Sequence, residues 1–501
     1  MSPLLLFSFI IVYFVILLVV AWYTSRNSNN DSFFIGNKNS NWMLVAFGMI
    51  GTSLSGVTFV SVPGAVAAES FAYLQITIGY VIGYLAIAFV LLPLYYRLNL
   101  TSIYNYLSSR LGFTSYKTGA SFFILSRTLG ATARLYLVVN ILQEAILKSF
   151  GVPFWLTTLI ILIMILLYTY EGGVKTIVYT DTLQTTCMLA GLVICVIYIL
   201  SHLHIGIGDS LAAMNEKGYA KIFFTHPGSK FFFAKQILAG AFITVTMTGM
   251  DQEMMQKNIS VRRLQDSQKN VVTLGIILLL VIVLFLFLGG LLYLYAESVG
   301  GHFVQYRAGG PKTFMIDTFN ATGDKLFPVI ALNYMPPLVS VIFIVALISA
   351  LFPSADGAIT ALTSSFCIDI IGIQRRDDMD DAKKKKTRQR VHLTVSAIFL
   401  VFVLLYKWVD NPSMIGLILK IAAYTYGPLL GLFSFGILTN RQITDRFVPV
   451  ICIAAPVVCF ILDKYQKALF GSFEIGLELL IINGLLTFLG LLIISKKQAA
   501  V

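Results

Sequence analysis

The stretch Leu351-Phe-Pro-Ser-Ala-Asp-Gly-Ala-Ile-Thr-Ala-Leu-Thr-Ser-Ser-Phe-Cys-Ile-Asp369 sets hydroxyls, carboxylates, a glycine and a proline inside a run otherwise apolar enough to cross a bilayer. Hydrocarbon penalises each of these groups, so a membrane helix that keeps them lines a cavity or an ion site. Two further runs combine glycine with small hydroxyl residues midway along: Gly48 to Gly64, with Gly51, Thr52, Ser53, Ser55, Gly56 and Thr58, and Gly240 to Gln252, with Thr244, Thr246, Thr248, Gly249 and Asp251. Glycine weakens a helix, and unwound backbone frees carbonyl oxygens. Such oxygens suit a small hard cation. Small residues also let helices pack closely, and for either run taken alone that reading stands beside the first. Arg127 and Arg134, seven residues apart, share a helix face. They are placed to pair with Glu144 or a neighbouring helix, or to meet a solute.

The elements that must position these groups are membrane helices. The chain has 501 residues, 57% hydrophobic and 12% charged, against about 25% charged in soluble domains. A span needs about 20 apolar residues. Thirteen stretches qualify: 3–23, 42–64, 72–96, 118–147, 154–170, 176–200, 236–256, 271–296, 336–370, 392–409, 413–439, 446–462 and 475–495. The first has neither a basic leader nor a small-residue cleavage site and is read as a retained helix. The chain is thus one membrane domain with no soluble domain.

Of the 36 Lys and Arg, 22 fall in one alternating class of loops, with the run Arg375–Arg390 the richest. That class is expected on the cytoplasmic side. An odd number of spans then puts the N-terminus outside and the C-terminus inside. The net charge of +12 reports this topology rather than affinity for nucleic acid, and no partner protein is implied. The five cysteines lie in apolar segments without metal spacing, and the histidines, in loops or at span ends, show none either. No phosphate-binding motif occurs: Gly172-Gly173 lacks the following Lys-Ser/Thr. Work, if done, is driven by an ion gradient.

The spans also fall into two sets of five, 42–200 and 236–439, each beginning with an interrupted helix. Five is odd, so the sets have opposite membrane orientation. Paired interrupted helices in corresponding positions of two halves mark the binding site of inverted-repeat transporters.

At these residues the chain resembles the sodium:solute symporter family, over nearly its whole length. Ser53-Leu-Ser-Gly-Val-Thr-Phe-Val-Ser-Val-Pro-Gly64 is similar to the first core helix. Leu100-Thr-Ser-Ile-Tyr-Asn-Tyr-Leu-Ser-Ser-Arg110-Leu-Gly112 resembles the family's post-helix loop. Tyr170-Glu-Gly-Gly with Thr180-Asp181-Thr-Leu-Gln184, Asp251-Gln252 with Gln256, Gly323-Asp324 to Pro328, the 347–370 helix and Tyr426-Gly-Pro428 to Phe433 resemble further motifs in order. The resemblance implies an all-α broken-helix core of ten helices in a 5+5 inverted repeat. One leading helix (3–23) and two trailing ones (446–495) flank it. It also implies symport of a small organic solute across the plasma membrane, driven by sodium as coupling ion and not as prosthetic group.

Carried over by position, the sodium ligands implied are backbone carbonyls at Gly51 and Leu54 with Ala350, Pro353 and Ser354. Pro353 stands where the family usually has a serine, and offers a carbonyl but no hydroxyl. A second sodium site found in some members maps to Asp181, Asp356 and Gly357. A carboxylate at Asp356 is an expected compensating ligand; a structural ion pair and a proton-titrating group are the alternatives. The solute is expected between the first and sixth core helices, near Ser55, Thr58, Thr246 and Thr248, with Lys420 and Tyr424 from the tenth. A lysine there favours a carboxylate-bearing or zwitterionic solute by charge. A sodium-independent or proton-coupled carrier of the same fold, and a sugar symporter, remain alternatives. A transport-fold sensor and a membrane enzyme fit less well, because no signalling domain or catalytic spacing is present.

Overall fold

Apolar runs become helices because a segment in hydrocarbon must satisfy its backbone hydrogen bonds internally. The computed structural model describes residues 3–24, 33, 40–170, 173–305, 312–376, 378–409 and 413–496. In chain order the principal helices are α1 (Pro3–Thr24), α2 (Trp42–Ser53), α3 (Gly56–Glu69), α4 (Tyr73–Arg97), α5 (Phe113–Ala145), α6 (Phe154–Thr169), α7 (Gly173–Leu203) and α8 (Phe233–Thr244). They continue as α9 (Gln252–Ile259), α10 (Leu264–Ser298), α11 (Pro337–Ile371), α12 (Asp381–Tyr406), α13 (Met414–Thr425), α14 (Gly427–Leu438), α15 (Val448–Phe470) and α16 (Leu479–Ile493).

Among the described residues eight helices are long and apolar enough to cross a membrane, or ten if each of two bent pairs counts as one span. The bends are 55° between α2 and α3 and 46° between α13 and α14. All thirteen expected stretches coincide with helix, but three fall short of that length. α6 and α16 are shorter, and 236–256 divides between α8, a π turn at Val245–Gly249 and the start of α9. The expected outer loop 297–335 carries structure of its own. Its three short antiparallel strands are β1 (His302–Val304), β2 (Thr313–Ile316) and β3 (Phe319–Asn320).

α11 is the axis of the molecule. In its most apolar window 83% of residues are buried, against 22% in α15 and 28% in α1 and α12. The outer helices instead expose large apolar side chains such as Val19, Val401 and Val450, as a surface facing acyl chains must. α4 and α8 approach through glycine: a Cβ on Gly79 would strike the carbonyl of Ile237, and one on Gly240 the carbonyl of Ile76. Close packing therefore accounts for Gly240, the first glycine of the second interrupted run.

Candidate functional site

Asn41 starts α2 by accepting a hydrogen bond from the Met43 N–H at 2.9 Å. Leu54 ends it, with its N–H donating to the Ile50 carbonyl at 2.8 Å. The chain then extends at Ser55 (ψ 169°) and α3 begins at Gly56. Among the described residues no hydrogen bond reaches the carbonyls of Gly51, Thr52, Ser53 or Leu54. Buried oxygens left open in this way require a polar or cationic partner. Across the break lies α11. Gly51 packs against Pro353 and the Thr185 hydroxyl, and Gly56 against the backbone of Leu347 and Leu351. Ala350, Pro353 and Ser354 are fully buried on the same stretch, and the Ser354 hydroxyl donates to the Leu351 carbonyl at 2.8 Å. The fold thus brings the break containing Gly51 and Leu54 against α11 at 347–354.

Asp356, one turn on, is fully buried. Its Oδ2 accepts from the Tyr168 hydroxyl at 2.7 Å and its Oδ1 from the Gly357 N–H. Among the described residues it has no ion-pair partner, and Lys420 and the basic residues of α5 pair elsewhere or not at all. Asp181 is different. Its Oδ2 meets the ammonium of Lys257 at 2.8 Å, and the Thr52 hydroxyl lies 3.2 Å away.

The second break is closed rather than open. Asp251 caps α9 by accepting from the Glu253 and Met254 N–H groups at 2.9 and 3.3 Å, as an N-cap carboxylate does. The Tyr95 hydroxyl donates to the Gly249 carbonyl at 2.8 Å, and the Tyr104 hydroxyl to the Met250 carbonyl at 2.9 Å. Gln252 bonds the Ile103 N–H and the Thr101 carbonyl, each at 3.0 Å. Asp251 also accepts from the Tyr426 hydroxyl at 2.8 Å. Asp251 and Gln252 are thus buried structural groups, not a solvated helix end.

Between the two breaks lies a cavity of about 110 Å³. Ser55, Thr58 and Thr248 line it, with Tyr73, Tyr80 and Tyr84 of α4 and Arg127 and Arg134 of α5. Arg127 is committed: its guanidinium pairs with Glu253 and lies 3.9 Å from Asp251. Arg134 reaches the cavity with no carboxylate in ion-pair distance among the described residues. A half-buried guanidinium facing a cavity without a counter-charge is a site waiting for one.

Three expected solute residues are not on this wall. The Thr246 hydroxyl is turned back to the Phe242 and Ile243 carbonyls at 2.9 and 3.0 Å. The Lys420 ammonium and the Tyr424 hydroxyl both meet Asp463 of α15, at 2.7 and 2.6 Å. They share a face, as the spacing of four requires, but that face looks outward to the trailing helix. Glu144 pairs with the exposed Lys148 at 2.6 Å and takes no part.

Two functional candidates lay outside the sequence reading. Lys257 falls just beyond the expected span 236–256, yet it is a buried residue of α9, as is Glu253. Their spacing of four, which puts acid and base on one helix face, is the signal that could have found them. His392 is likewise not at a span end. It is buried in α12 between the Thr169 and Thr363 hydroxyls at 3.1 and 3.0 Å.

The model of the sodium:solute symporter family matches residues 33–445. The chain is similar to the sodium/sialic acid symporter NanT of Aliivibrio fischeri, 23% identical over 483 residues, covering 92% of this chain and 88% of the relative. It is also similar to the sodium-coupled monocarboxylate transporter 1 of Mus musculus, 24% identical, covering 81% of this chain and 64% of that one. A solved substrate-bound, outward-open sodium-coupled sialic acid symporter superposes with TM-score 0.78 at 18% identity, covering 98% of this chain and 99% of that one.

Proposed function

Because the chain belongs to the sodium:solute symporter family, and is therefore a multi-pass membrane carrier coupling sodium to a small organic solute, we propose that its solute bears a carboxylate received by Arg134. The observation that carries this is the uncompensated Arg134 guanidinium on the wall of the cavity. A planar guanidinium binds a carboxylate bidentately. Tyr73, Tyr80 and Tyr84 on the same cavity offer aromatic faces and hydroxyls to the rest of the molecule. The relatives named for sialic acid and for monocarboxylates carry carboxylate solutes, which supports the same reading. Charge recognition thus rests on α5 instead of Lys420.

The coupling sodium is assigned to the open break: the carbonyls of Gly51 and Leu54 with Ala350, Pro353 and Ser354, and Asp356 as the nearby carboxylate. Four carbonyls that receive no hydrogen bond, beside a buried carboxylate with no ion pair, both among the described residues, support this. Two five-helix sets, 42–200 and 236–439, work as the inverted repeats of one transport unit in the plasma membrane, importing solute with the N-terminus outside and the C-terminus inside. No catalytic reaction is assigned.

Uptake into proteoliposomes tests both sites. Arg134→Gln is expected to raise the KM for a carboxylate solute about 10- to 100-fold, the loss of one charge-assisted hydrogen-bond pair, while sodium dependence persists. Asp356→Asn is expected to weaken sodium activation and leave solute preference unchanged. Equal competition by neutral sugars and by acids would sink the carboxylate assignment. Unaltered sodium activation in Asp356→Asn would remove that residue from the ion site.

A further inference from the structure

Asp181 is a fully buried carboxylate beside the open break. Such a group needs a cation close by, and in a sodium carrier that cation is either mobile or part of the protein. Lys257 answers this. Its ammonium lies 2.8 Å from Asp181 Oδ2, 2.7 Å from the Thr52 hydroxyl and 3.8 Å from Glu253 Oε1. Three oxygens surround a group with three N–H donors, and the whole side chain is 2% exposed. The contact joins the end of α2, through Thr52, to α7, through Asp181, and to α9, which carries Lys257. This is the cross-link that a bound cation would make, supplied instead by a residue that cannot dissociate.

The cross-link also adjoins the solute cavity. Glu253 holds Arg127, which lines the cavity, and packs against Gly357, the neighbour of Asp356. Arg127 and Lys257 between them pair with Asp251, Glu253 and Asp181, and among the described residues Asp356 is the carboxylate of this cluster without an ion pair.

We propose that the Lys257 ammonium is a tethered cation that excludes sodium from Asp181, so that this carrier binds and moves a single sodium ion, at the open break. Asp181, expected above as a sodium ligand, is a structural anchor for Lys257. A second mobile cation on Asp181 would share its oxygens with the ammonium, and two like charges at that separation repel strongly in a buried site.

The inference rests on the assignment of the coupling sodium to the Gly51–Leu54 break, and equilibrium binding of radiolabelled sodium to the purified full-length protein, without solute, separates the two. The expected result is one sodium per chain at saturation, with a Hill slope of one and at least tenfold weaker binding in Ser354→Ala. Lys257→Ala is expected to raise the count to two by exposing Asp181. Should that variant fail to fold, the charge-neutral pair Lys257→Met with Asp181→Asn is expected to fold and keep a count of one. A count of two in the natural protein overturns the inference. So does a count still at one in a folded Lys257→Ala, or loss of sodium from the double variant. Sodium binding that survives unchanged in Ser354→Ala overturns the ion-site assignment instead.

Discussion

At the scale of single residues, context decides which polar side chains do chemistry. Arg127 and Arg134 are identical in type and share a helix face, yet one is neutralised by Glu253 and the other is left to the cavity. Asp324 shows the same dependence outside the membrane. In the segment between α10 and α11 it accepts from the Met414 N–H at 2.9 Å, tying that segment to the start of α13. Burial pushes its carboxyl up to about 6. An acid whose pKa is raised by folding binds its proton better in the folded state. Its contribution is therefore most favourable below its ordinary range and is lost as pH rises towards 6. The melting temperature of the solubilised protein should fall between pH 4 and 6 through this group, and Asp324→Asn should flatten that part of the profile. An unchanged slope in the variant would assign the pH dependence to other groups.

At the scale of elements, the two interrupted helices look alike in sequence and differ in what happens to their carbonyls. After α2 no hydrogen bond reaches them among the described residues; after α8 Tyr95 and Tyr104 take them. The proposed ion site belongs to the break that is left open. Tyr104→Phe should strand the buried Met250 carbonyl and destabilise the protein by about 1–3 kcal/mol, read as a lower denaturation midpoint. If the midpoint is unmoved, water replaces the hydroxyl and the break is less closed than its geometry implies. The interruptions themselves were legible, because glycine and hydroxyl residues amid apolar ones are expensive in hydrocarbon. Which of them was filled was not, since Tyr95 and Tyr104 come from sequence about 150 residues away.

At the scale of the molecule, α11 runs through the centre, and helices with apolar outer faces enclose it. Charge asymmetry of the loops sets the expected orientation. A cysteine introduced at Lys384 should resist membrane-impermeant thiol reagents in intact cells, whereas one at Lys217 should react. The reverse pattern would invert the topology. Thirteen helical stretches were readable from hydropathy, but their lengths were not. α6 and α16 are shorter than a full span, and 236–256 divides at a π turn, because neighbouring helices and not local sequence decide where a helix stops.

Composition and hydropathy determined a polytopic helical membrane protein with two interrupted helices, since these follow from what a bilayer permits along a chain, and sodium coupling followed from the resemblance of the ordered motifs to the family. The first break and the stretch of α11 packed on it were found the same way. Tertiary structure decided the charges. Lys420 turned out to serve Asp463, Lys257 to serve Asp181, and Arg134 to serve no residue of the described chain. The physical reason is that an ion pair forms between side chains brought within about 4 Å, and that distance is set by the packing of helices far apart in sequence.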